Sequence, residues 1–127
     1  MEKKVIETSS APKAVGPYSQ AIQAGGFLFC SGQIAIDPSS NEVLKVSVKD
    51  QTERVMKNIE AVLKAAGLDF SKVVKTTIFL TDMADFTIVN EVYSSFFSPP
   101  YPARSTVAVS ALPKGVNVEI EVLALRG

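Results

Sequence analysis

The chain has 127 residues, enough for one domain and too few for a linker and a second core. Its 13 Lys and Arg balance 13 Asp and Glu, which argues against nucleic-acid or anionic-membrane binding, since such surfaces carry a basic excess. With no histidine and a single cysteine, His-based triads, Cys/His zinc sites and an internal disulfide are excluded. Chemistry, if there is any, falls to Arg, Glu, Asp, Lys, Tyr, Ser, Thr, Asn or backbone groups.

The N-terminal MEKKVIETSSAPK lacks the apolar stretch of a secretory signal, and no apolar run approaches the ~20 residues of a membrane helix. The expectation is a cytoplasmic protein. A short strand is predicted over 5–8, then a turn-rich segment over 9–20. Two strands flank Gly25-Gly26, a plausible hairpin turn, and 37–42 reads as loop. Cys30 lies in the apolar FLFCSG and is expected to be a buried small hydrophobe. From Val48 to Ala66 the residues Val55, Met56, Ile59, Val62, Leu63 and Ala66 recur at helical spacing. Ser47 with Asp50, or Asp50 with Glu53, suits the N-terminal cap, and Gly67 the C-terminal stop. Residues 72–82 are β-branched and aromatic, hence strand. A second helix is predicted from Asp82 or Asp85 to Phe97, with Phe86, Val89, Tyr93 and Phe97 as its stripe. A strand over 104–109, a turn at 112–115 and a last strand over 116–125 complete the order β-β-β-α-β-α-β-β. That order suggests an α+β domain with both helices on one face of one sheet.

The other sheet face is then mixed. Alternation puts Val74, Thr76, Ile78 and Leu80 on one side of the middle strand, and Val73, Lys75, Thr77 and Phe79 on the other. In the last strand Asn117, Glu119, Glu121, Leu123 and Leu125 share the side away from Val118, Ile120 and Val122. Such a face suits a neighbouring subunit and predicts a homo-oligomer with polar pockets at its boundaries; a solvated face with scattered apolar residues fits the pattern equally well.

Arg104 follows Pro99, Pro100 and Pro102. A guanidinium binds a carboxylate through a planar fork of donors, and fixed φ angles beside it limit the entropy lost in holding it. Composition alone favours an ordinary surface arginine. Asn90 lies against the apolar stripe of the second helix, where its amide must find partners or lower stability. Glu119 could act as a general base if partly dry, or be a solvated strand glutamate. GPYSQ (16–20) and CSGQI (30–34) place hydroxyls beside Gly or Pro, and Ser31-Gly32 could let backbone N–H groups approach a ligand.

Taken together, APKAVGPYSQAI, FLFCSGQIAIDP, the run from Gln51 to Phe86, VNEVYSSFF, PARSTV and ALPKGVNVEIEVLAL resemble the reactive intermediate deaminase family (RidA-type enamine/imine deaminases) over nearly the whole chain. The resemblance implies a chorismate-mutase-like fold: a six-stranded mixed sheet, two helices on one face, and a homotrimeric barrel with active sites between subunits. It implies hydrolysis of 2-enamine and 2-imine acids such as 2-aminoacrylate and 2-aminocrotonate to 2-keto acids and ammonia, without cofactor or metal. Carried over by position, Arg104 resembles the carboxylate-binding arginine and Glu119 the acid that handles the attacking water. Tyr18, Ser31, Gly32, Asn90 and Thr106 match substrate-binding positions. Many members carry a cysteine where this chain has Thr106, so thiol chemistry is unavailable there while backbone hydrogen bonding survives. A trimer that binds 2-keto acids without turnover is the alternative reading. Ribonuclease activity, attributed to some relatives, fits poorly with the absent basic excess.

Overall fold

Gly25 and Gly26 adopt φ of 57° and 82°, the left-handed pair that a two-residue hairpin turn needs. They join β2 (Ala21–Ala24) to β3 (Phe27–Cys30) in antiparallel register, Ala24 facing Phe27. The computed structural model describes residues 2–126. β1 (Lys4–Ile6) pairs with β2. After β3 come a small ribbon of β4 (Ile36–Asp37) and β5 (Glu42–Val43), then α1 (Val48–Ala65), β6 (Val73–Leu80), α2 (Phe86–Ser94), β7 (Ala103–Ala108) and β8 (Val118–Leu125). The six-stranded sheet has the order β1-β2-β3-β8-β6-β7. β6 and β7, joined through α2, run parallel, and the other pairs are antiparallel, so the sheet is mixed as expected.

α1 begins where the Ser47 hydroxyl accepts from the Asp50 N–H at 3.1 Å, the first of the two predicted caps. It ends as the Gly67 N–H donates to Lys64 O and the Leu68 N–H to Leu63 O, with Gly67 at φ 76°. Between these ends Val55, Met56, Ile59, Val62 and Leu63 are buried against Leu28, Ile78, Leu80, Val118, Ile120, Val122 and Ala124 from the sheet. α2 adds Val89 and Tyr93 to the same core. Truncating any of the larger of these side chains to alanine removes about 2–5 kcal/mol, because the packed surroundings collapse only in part.

Buried polar groups tie the loops to this core. Asn58, fully buried on α1, donates to Ile34 O and Ile36 O at 3.2 and 3.0 Å and accepts from Arg54 Nε at 3.1 Å. Gln20 accepts from the Thr8 N–H and donates to the carbonyls of Thr8, Ala11 and Pro12, clamping the N-terminal segment.

The structure departs from the expected elements in four places. β1 stops at Ile6, because Gln20 takes over the Thr8 backbone. The expected loop over 37–42 is the turn and inner pair of a two-stranded ribbon over 36–43, with Asn41 at φ 61°, too short for periodicity to register. α2 stops at Ser94, whereas Phe96 and Phe97 pack instead on Phe70. In β6 the register shifts between Val73 and Lys75, so Val73, not Val74, faces the core. Strict alternation fails there because a bulge inserts one residue and inverts the side chain before it.

The face away from the helices carries the exposed side chains Phe27, Phe29, Val107 and Leu125, with Lys75, Thr77 and Phe79 half-buried among them. Among the described residues no helix is long and apolar enough to cross a membrane. Cys30 packs against the core, and burial pushes its thiol up to about 12, leaving it protonated and unreactive at neutral pH.

Candidate active site

The predicted site residues fall into two groups. Arg104 lies on β7, the edge strand, directly beside Thr76 of β6. Thr76 is fully buried beneath the helices, so register directs Arg104 to the helix side. There its guanidinium stands 5.1 Å from the Tyr93 ring centre and 5.5 Å from that of Phe86. One N–H, on Nη1, donates to Asn90 Oδ1 at 2.7 Å. The misplaced-looking amide of Asn90 thus has its partner in this arginine. The remaining donors of the fork face an open cleft of about 450 Å³ lined by Asn90, Tyr93, Ser94, Tyr101, Pro102 and Arg104. A planar cation on an aromatic bed, exposed and with free donors, has the chemistry to take a carboxylate.

The second group surrounds Glu119. Gln33 and Ile120 exchange backbone hydrogen bonds of 2.8 and 3.1 Å, which lays Gly32 alongside the Glu119 side chain. Glu119 is half-buried on the face away from the helices. Burial, and secondarily the neighbouring Glu121, raise its pKa above the ordinary carboxylate value. A cleft of about 390 Å³ contains Glu119, Gly32, Tyr18, Gln33 and the lysines Lys13 and Lys114. Lys114 holds φ 62°, a conformation unusual outside glycine, at the turn that leads into β8. Tyr18 is 53% exposed, its ring available at the mouth. Ser31 plays a different part: its hydroxyl donates to Ser19 O at 2.6 Å and its N–H to Gln20 O at 2.9 Å, bracing the Tyr18 segment rather than lining the cleft.

One chain does not bring the groups together. Arg104 and Asn90 lie on the helix side at the sheet edge; Glu119 lies on the opposite face, with β6 between its strand and β7. Thr106 shares the helix side with Arg104, paired with Ile78, and its Oγ1 is buried without a hydrogen-bond partner. Among the described residues no group of three Cys, Asp or Glu side chains is placed to hold a metal ion. Sequence reasoning missed Gln20, Asn58, Thr76 and Tyr93 as the residues that position both groups. For Thr76 and Tyr93 the available signal was a hydroxyl on the helix-side face of β6 and the apolar stripe of α2, as the amide was for Asn90.

Two outcomes follow from local geometry. A Cβ at Gly32 would overlap Glu119 Oε2 and come within 3.0 Å of its Cδ and 3.2 Å of its Cγ. Gly32→Ala must therefore displace the carboxylate while leaving the backbone conformation accessible, and a misplacement of this order costs about 10²-fold in rate. We expect any activity that uses Glu119 to fall by about that factor with a melting temperature close to wild type. Thr106→Val keeps shape and deletes the unpartnered hydroxyl, so it should raise stability by about 1 kcal/mol, read as a higher melting midpoint without ligand. A lower midpoint would show that the hydroxyl has a partner.

Comparison with known proteins shows the family. The family model described as Endoribonuclease L-PSP matches residues 8–126. A mouse protein named 2-iminobutanoate/2-iminopropanoate deaminase is 48% identical over 125 residues, covering 98% of this chain and 93% of its own. The chain belongs to the reactive intermediate deaminase (RidA-type) family. The structure of a Rid-family protein from Yersinia pestis superposes with a TM-score of 0.95 at 52% identity, covering 98% of this chain and 99% of that one. That of Escherichia coli TdcF, solved with serine bound, gives 0.92 at 44% identity over 98% and 99%. The residues matched by the family model, 8–126, include those of both groups.

Proposed function

We propose that the protein hydrolyses reactive 2-enamine and 2-imine acids, such as 2-aminoacrylate and 2-aminocrotonate, to 2-keto acids and ammonia, in sites completed between subunits of a homotrimer. The observation that carries the reading is the pairing of a preorganised carboxylate receptor at Arg104 with a half-buried carboxylate of raised pKa at Glu119. Separated within one chain, the two groups complement each other across an interface. The exposed apolar face bearing Phe27, Phe29, Val107 and Leu125 is the surface such an assembly would bury. The Tyr18, Gly32 and Glu119 cleft of one subunit then meets the Arg104 and Asn90 cleft of the next.

In this site Arg104 holds the substrate carboxylate, with the Thr106 backbone beside it. The enamine takes a proton at its terminal carbon and gives up one from its nitrogen to become the imine. Glu119 accepts a proton from water as the oxygen attacks the imine carbon, giving a tetrahedral carbinolamine. That proton passes to the nitrogen, the new hydroxyl's proton follows it, and the C–N bond breaks, so that ammonia leaves as the carbonyl forms. Tyr18 and the Gly32 backbone line the path of the attacking water. Imines of this kind already hydrolyse in water, so positioning and one general base, the latter worth about 10²–10⁴-fold, are sufficient.

The test is direct. A serine dehydratase generates 2-aminoacrylate, this protein is added, and pyruvate appearance is followed. The expected result is acceleration over the protein-free control; an unchanged rate overturns the reading. The serine held by the TdcF structure favours a second reading, a trimer that binds small amino or keto acids without turnover. Calorimetric binding of 2-ketobutyrate with no acceleration would select it.

A further inference from the structure

We propose that Tyr93 and Thr76 act as one positioning unit that holds the Arg104 guanidinium in its carboxylate-binding pose. This rests on the assignment of Arg104 as the carboxylate receptor. It adds two residues that act through Arg104, one of them, Tyr93, also lining the cleft beside it.

The geometry is a closed circuit. Arg104 and Thr76 are register partners on adjacent parallel strands, so their backbones are fixed relative to each other. The Thr76 hydroxyl, fully buried, shares a 2.8 Å hydrogen bond with the Tyr93 hydroxyl. The Tyr93 ring in turn lies beneath the guanidinium at 5.1 Å. The hydroxyl bond fixes where the ring stands, and the ring fixes where the guanidinium rests. Tyr93 is 4% exposed and also packs on Phe97, ring centres 4.7 Å apart, so the circuit is anchored in the core rather than in a loop. Phe86 and Asn90 bound the guanidinium from elsewhere on α2, yet neither reaches the sheet beneath Arg104 by a hydrogen bond. A buried hydroxyl pair in an otherwise apolar layer contributes little net stability, since two apolar side chains of the same shape would serve about as well. Its use is orientation: an arginine held in advance loses less entropy when the ligand binds.

This separates positioning from folding. Tyr93→Phe and Thr76→Val each leave one buried hydroxyl without a partner and should lower the melting midpoint. The double variant removes both hydroxyls and should recover the midpoint to near wild type. We expect the dissociation constant for 2-ketobutyrate, and KM for the imine, to rise about 5- to 30-fold in each single variant and to remain raised in the double, with kcat within about threefold. Binding of 2-oxobutanamide, which lacks the carboxylate, should change far less. Affinity that recovers together with the midpoint in the double variant overturns the proposal, because the pair is then merely structural. So does unchanged affinity in all three variants, or an equal loss for the amide. Arg104→Ala run alongside distinguishes the underlying reading: if it leaves 2-ketobutyrate binding intact, the carboxylate receptor itself is misassigned.

Discussion

Arg104→Ala should lower kcat/KM for 2-aminoacrylate hydrolysis by about two to three orders of magnitude, the loss expected when one partner of a charge-assisted carboxylate pair is removed. The effect should fall mainly on KM, since the carboxylate is charged in substrate and transition state alike. Folding should be little affected, because the guanidinium is exposed and only its contacts with Asn90 and the two rings are lost. Arg104→Lys keeps the charge but not the fork, and cannot both bond Asn90 and present a planar pair of donors. It should recover no more than about a tenth of the wild-type kcat/KM. Both variants are read by the coupled pyruvate assay, and an alanine variant with full activity would remove the clamp from the mechanism.

Glu119→Gln should produce the opposite kinetic pattern. The amide preserves shape but cannot take a proton from water, so kcat should fall by about 10²–10⁴-fold while 2-ketobutyrate still binds. The wild-type pH profile should lose activity at low pH, with the midpoint of that limb above the ordinary glutamate value of 4.5, because burial and then Glu121 raise the carboxyl pKa. The limb should be missing from the glutamine variant. The same shift has a stability consequence of fixed sign. A raised folded-state pKa means that Glu119 contributes stability below its ordinary value and loses it as pH rises through the raised one. Above the raised pKa the half-dry carboxylate, once ionised, opposes folding, so Glu119→Gln should melt at or above the wild-type temperature on that side, its advantage vanishing below the ordinary value of 4.5. A residual activity close to wild type at pH 7 would assign the water-handling role elsewhere.

Much of the architecture was legible because it rests on patterns with a short physical range. The α1 stripe, the Ser47 cap, the Gly67 stop and the Gly25-Gly26 hairpin all depend on residues within a few positions of one another, and each appears in the structure as expected. Arg104, Asn90 and Glu119 could be singled out from sequence for their type and position. Their number per site and their relation in space could not. Alternation along β6 misplaced Val74, since a bulge is set by pairing with β8, a partner over forty residues away. The end of α2 was misjudged because Phe97 continues the helical spacing yet packs on Phe70 from outside the helix.

By itself the amino-acid sequence determined the order of the six main strands and two helices, the α+β class, the exclusion of histidine, internal-disulfide and Cys/His-zinc chemistry, and the family to which the chain is similar. Those conclusions need only composition, local periodicity and ordered motifs. The tertiary structure decided that Asn90 bonds Arg104, that Ser31 braces the Tyr18 segment, that the Thr106 hydroxyl is buried without a partner, and that Arg104 and Glu119 lie on opposite faces of one sheet. The reason is the strand order: β7 stands at the edge while β8 is inserted between β3 and β6, a placement that no local spacing encodes and that long-range burial alone selects.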